Sequence, residues 1–189
     1  MTVRGNGTCW LYAVMAALGV LQHANPKSLR SEQEEKIPTD GDYDLSAVFL
    51  SKMQVAVTSM NLPQGAKDLE GKTIATKEHP SCTCWGGGET DYAVLSYLLE
   101  CNILKLDQAN PSKTSLYSAG SKGRVKYLTE EGLKLHLAHA VEHGEPNLVV
   151  EFNGHYEGGG HFAAYESPQT YMPDHPLWLT NILRKRPIR

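Results

Sequence analysis

Residues 5–14, Gly5-Asn6-Gly7-Thr8-Cys9-Trp10-Leu11-Tyr12-Ala13-Val14, set a thiol between a small-residue turn and an apolar run at helical spacing. A cysteine in the first turn of a helix sees the positive end of the helix dipole and several unpaired backbone N–H groups. Both favour thiolate over thiol, and the same N–H groups can hold the oxyanion of a tetrahedral intermediate. The flanking glycines let the backbone come close to a substrate carbonyl. Cys9 is therefore the expected nucleophile, with backbone of Gly7 and Thr8 as oxyanion donors. On this segment alone the plainer reading, a small buried apolar residue, fits Cys9 equally well.

A thiol nucleophile needs a base within hydrogen-bond reach and a group to orient that base. Of the eight histidines, His23, His79 and His175 fall in polar or Pro-flanked stretches, and His136, His139 and His143 share one helix where surface positions suit them. Two candidates remain. His161 opens an apolar strand, His161-Phe162-Ala163-Ala164-Tyr165. His155, with Glu157 two residues on, is the rival, but Gly158, Gly159 and Gly160 follow and a strand continues poorly through three glycines. Strand continuity favours His161 as the base.

Three blocks in order resemble the ovarian-tumour (OTU) family of deubiquitinating cysteine proteases, of the papain-like superfamily. The Gly-x-Gly-x-Cys run at Cys9 is similar to that family's nucleophile block. Trp85-Gly86-Gly87-Gly88-Glu89 leads into Tyr92-Ala93-Val94-Leu95, like the family's Trp-Gly-Gly turn and helix. His161-Phe162 resembles its His-aromatic strand. Each block is loose alone, but together they span residues 5 to 166. The resemblance implies hydrolysis of isopeptide bonds at the C-terminal glycine of ubiquitin or a ubiquitin-like modifier, with ubiquitin or polyubiquitin chains as partners and no cofactor.

The chain departs from the family pattern twice. Two residues beyond His161, where many members carry Asp or Asn, stands Ala163, which can orient nothing. Asp174, within Met172-Pro173-Asp174-His175-Pro176, is the preferred third member, with Asn6 and a residue outside this chain as the other options. Asn6 also stands where the family usually has Asp; it keeps the shape and can donate a hydrogen bond but carries no charge, and it is expected in the oxyanion or orienting loop. Two alternatives stay open: another papain-like effector protease or glutamine deamidase, and a catalytically weak ubiquitin-binding module.

The elements that must position these residues follow from periodicity. Cys9 to Gln22 reads as a buried helix, and Ala24 to Asp42 as a loop. Asp44 to Met60 reads as a helix with Asp44 as N-cap, and Asn61 to Pro80 as irregular. Glu89 to Glu100 is an amphipathic helix leading into a strand at Ile103 to Leu106, and Gln108 to Arg124 reads as a mobile loop. Thr129 caps a helix that runs to His143 and stops at Gly144 and Pro146. Leu148 to Phe152 and His161 to Tyr165 are two late strands. Helices first and a small, mostly antiparallel sheet late predict an α+β fold of papain-like layout, one domain over residues 1–189, whether whole or excised from a longer protein.

Composition narrows the function classes. With 18 basic and 21 acidic residues, net charge −3, and no basic tract beyond Arg184-Lys185-Arg186, there is no electrostatic footprint for nucleic acid or a charged membrane surface. No apolar run approaches the roughly 18–20 residues of a membrane helix. No signal peptide is legible, which predicts reduced thiols and a cytoplasmic setting, the host cytosol in the case of a viral or bacterial effector. The C-x-C spacing of Cys82 and Cys84 lacks a second ligand pair, so no metal is expected.

Overall fold

A computed structural model describes residues 6–22, 38–82, 86–145, 147–154, 161–164 and 176–185. It is an α+β fold with, among the described residues, six α-helices and one mixed sheet of five strands. The nucleophile candidate opens the first helix, α1 (Cys9–Ala17). Every residue of α1 from Cys9 to Ala16 is buried, so this helix is the axis of the core and not an amphipathic surface element. It ends earlier than its apolar run suggests. Gly19 takes φ +70° and the Gly19 and Val20 N–H groups return to the Ala16 and Met15 carbonyls, a Schellman stop that Gly19 permits.

Helix α2 (Asp40–Ser59) starts four residues before the expected Asp44. Thr39 is its N-cap: its side chain accepts from the Asp42 N–H while the Asp42 carboxylate accepts from the Thr39 N–H. Helix α3 (Pro63–Glu70) forms in the stretch read as irregular, with proline in its first turn where a missing N–H costs nothing. Helix α4 (Glu89–Leu99) follows the glycine turn, and its C-cap Glu100 is left-handed at φ 54°.

Strand β1 (Asn102–Asp107) leads into β2 (Ser115–Tyr117) and β3 (Val125–Tyr127), which pair as an antiparallel hairpin in place of much of the expected mobile loop. Three-residue strands are too short to show an alternating pattern. Helix α5 (Glu130–His143) is capped as expected: Thr129 accepts from the Gly132 N–H, and Gly144 closes it at φ +63°. Strands β4 (Asn147–Asn153) and β5 (His161–Ala164) complete the sheet, and α6 (Leu177–Leu183), not foreseen from sequence, packs Trp178 edge-on against Phe49 at 5.2 Å.

The strand order is β3-β2-β1-β4-β5; β1 and β4 run parallel and the other neighbours antiparallel. The sheet separates two unequal cores. Ile103, Leu148, Val150, Phe162 and Ala164 join α1, α2, α4 and α6 in the main core, while Leu104, Leu116, Leu128 and Val149 form a small cluster with Leu133 and Leu137 of α5. β5 lies at the sheet edge and packs along α1, which brings residues far apart in sequence to one place. No helix among the described residues is long and apolar enough to cross a membrane.

Candidate active site

Cys9 occupies the first position of α1, where helix geometry leaves N–H groups without intrahelical partners. Backbone N–H groups of Phe162 on β5, of Trp10 and of Cys9 itself favour the charged form of its thiol. The packing of β5 against α1 is the central geometric fact of the site. β5 packs along α1, whose first residue is Cys9, and His161 is the first residue of that strand.

The protonation state departs from the sequence expectation. Burial pushes the Cys9 thiol above its ordinary value; the three N–H groups pull the other way and do not overcome it, and the neighbouring Cys82 thiol adds to the rise. With Cys9 only 4% exposed, desolvation outweighs the helix terminus, so the resting group is a thiol, not a preformed thiolate.

The loop before Cys9 is clamped by Asn6, itself 3% exposed. Its Oδ1 accepts from the Thr8 N–H at 3.1 Å, its Nδ2 donates to the Pro80 carbonyl at 3.1 Å, and its own carbonyl accepts from the Cys82 N–H at 2.9 Å. Thr8 Oγ1 accepts from the Ala75 N–H at 2.8 Å, tying the same loop to a second point. These bonds explain why an amide and not a carboxylate stands at residue 6: a carboxylate would set acceptor against acceptor at Pro80. They also engage the Thr8 N–H, expected as an oxyanion donor. The N–H groups of Cys9 and Trp10, in the first turn of α1, remain as helix-terminal donors, a pair identifiable from helix geometry alone once Cys9 is the first helical residue. Gly7 sits at φ +83° with its missing side chain toward Cys82, where a Cβ would lie 2.8 Å from Sγ. Asn6 thus shapes the loop before Cys9.

The glycine turn before α4 is the other wall. A Cβ on Gly86 would stand 2.2 Å from the Trp10 indole nitrogen, and one on Gly87, at φ +89°, 2.5 Å from the Phe162 ring. Only glycines let this turn lie against the residue after Cys9 and the residue after His161 at once. Asp91 holds the turn in place, its carboxylate accepting from the Gly87 and Gly88 N–H groups at 2.7 and 3.1 Å. Lys72 pairs with both oxygens of that carboxylate at 2.7 Å and lies 5.2 Å from the centre of the Trp10 ring. The Lys72–Asp91 pair carried no signal in the sequence, because its partners come from separate elements.

His161 and Ala163 alternate with the core residues Phe162 and Ala164 and lie on the opposite face of β5. His155, Glu157 and Asp174, the rival base with its carboxylate and the preferred third member, lie outside the described residues, as do Trp85 and Cys84. Among the described residues no group of three or more His, Cys, Asp or Glu could hold a metal. On α5, His136 meets Asn147 Oδ1 at 3.0 Å and the His139 and His143 rings stack at 4.0 Å. No family model matches the chain, and no curated protein matches it.

Proposed function

We propose that the chain is a papain-like thiol hydrolase of the ovarian-tumour type, cleaving isopeptide bonds at the C-terminal glycine of ubiquitin or a ubiquitin-like modifier. One observation carries the hydrolase reading. The strand opened by His161 packs along the helix opened by Cys9, and the Phe162 N–H on that strand favours the charged form of the thiol. The modifier is inferred from the three sequence blocks, at Cys9, at Gly86 to Leu95 and at His161, which resemble that family in type and order.

In the reaction, substrate binding opens Sγ, and His161 takes its proton as attack begins. The sulfur bonds to the glycine carbonyl carbon, and the Cys9 and Trp10 N–H groups hold the oxygen that becomes negative. Collapse expels the lysine amine, which receives the proton from His161. Water, deprotonated by His161, then cleaves the thioester and the proton returns to Sγ. Because the resting thiol keeps its proton, His161 acts as a general base during attack.

A second reading, a ubiquitin-binding module without turnover, draws on the burial of Cys9 and the raised pKa of its thiol. Ubiquitin carrying a C-terminal thiol-reactive group separates the two. The hydrolase reading predicts a covalent adduct on denaturing gels that is lost with Cys9→Ala and suppressed with His161→Ala. Binding without an adduct, by protein shown to be folded, would establish the module instead.

A further inference from the structure

We propose that Asn153, on the strand facing β5, orients His161 in place of the residue that Ala163 cannot supply. The inference rests on the reading of His161 as the base. The β4–β5 register sets Asn153 directly opposite His161 and Glu151 directly opposite Ala163. Side chains alternate along each strand. Leu148 and Val150 of β4 join Phe162 and Ala164 of β5 in the main core, so Glu151, Asn153, His161 and Ala163 share the other face. Residues directly opposite in an antiparallel pair have Cβ atoms about 4.5–5.5 Å apart, within reach of a hydrogen bond between an amide and an imidazole, whereas diagonal neighbours stand about 7–8 Å apart. Glu151 is diagonal to His161 and Asn153 is not.

Both residues are half-buried at the end of the hairpin, and Ala163 adds only a methyl beside the imidazole. The Asn153 amide oxygen accepts the proton on Nδ1 of His161. This fixes the tautomer that leaves Nε2 as the basic nitrogen, and it does so without adding a charge. The function that many relatives of this type place two residues along the same strand is here moved one strand across.

Imidazole 15N NMR of the full chain tests this without depending on ubiquitin, with His161→Gln used to assign the signal among the eight histidines. The wild-type neutral ring is expected to carry its proton on Nδ1. Asn153→Ala should shift it to a mixture of tautomers. Asn153→Asp, which keeps the acceptor and adds charge, should retain the tautomer and raise the His161 pKa by about one unit. Glu151→Gln should leave both unchanged. The proposal is overturned if Asn153→Ala and Asn153→Asp both leave tautomer and titration as in the wild type, or if Glu151→Gln is the change that moves them. The ubiquitin adduct is scored separately on the same proteins. Its absence in the wild type defeats the hydrolase reading, whereas an unmoved His161 signal with an intact adduct defeats only the role of Asn153.

Discussion

The two faces of the sheet are built to different standards. Toward α1, a helix buried on all sides locks Trp10, Phe162 and the glycine turn together with no room for a Cβ at Gly86 or Gly87. Toward α5, a small cluster is covered by a helix that fully buries only Ala140 and leaves Leu135 66% and Val141 59% exposed. The residues flanking Cys9 and His161 belong to the dense side. Close packing there fixes the position of a thiol at the cost of desolvating it, which is why the thiol is well placed and yet protonated.

The sharpest way to break this contrast is at Asp91. Asp91→Ala removes the carboxylate that holds two backbone N–H groups of the turn and leaves Lys72, 11% exposed at its side chain, without its partner. Loss of one member of such a pair costs about 3–5 kcal/mol, read as a shift in denaturant midpoint. Gly87→Ala comes next. Its Cβ would press on Phe162 and Trp10 at a positive φ, costing about 3 kcal/mol. Because both displaced residues adjoin the proposed pair, adduct formation should fall even at temperatures where the variant stays folded.

Alkaline pH probes the dense side without mutation. Burial pushes Cys101 up to about 12, Tyr117 to about 12, and raises Cys9 and Tyr92 as well. The folded chain therefore keeps protons that the unfolded chain loses from about pH 8.5 for cysteine and about pH 10 for tyrosine. The contribution is complete below that range and is lost as pH rises through the folded values. Stability should fall by on the order of 4 kcal/mol between about pH 7.5 and about pH 10.5, measured by denaturation at each pH. The smallest effect lies on the other face: Leu135→Gln on α5 should change stability by less than about 0.5 kcal/mol, and a larger loss would mean that this face is covered by something else.

The sequence made the helices α1, α4 and α5 and the strands β4 and β5 legible because each is long enough, or well enough capped, to show its period. The start of α2 was also readable: Thr39 and Asp42 form a capping box at the expected spacing, and the proline at the head of α3 is a start signal of the same kind. Strands β2 and β3, of three residues each, exist through pairing and have no pattern of their own. At the site, residue types pointed to Cys9 and His161, but the packing of β5 along α1 is a tertiary fact. So are the burial that keeps the thiol protonated, the Asn6 clamp that takes up the Thr8 N–H, and the register that sets Asn153 opposite His161.

Turnover tests the central claim most directly. With ubiquitin bearing a fluorescent amide at its C-terminal glycine, the account predicts steady release of the fluorophore by the wild type. It predicts none by Cys9→Ala, and a loss of about a hundredfold or more with His161→Ala. Release that persists undiminished in Cys9→Ala, or no release at all by folded wild-type protein, would contradict the assignment of the α1–β5 junction as a ubiquitin-directed active site.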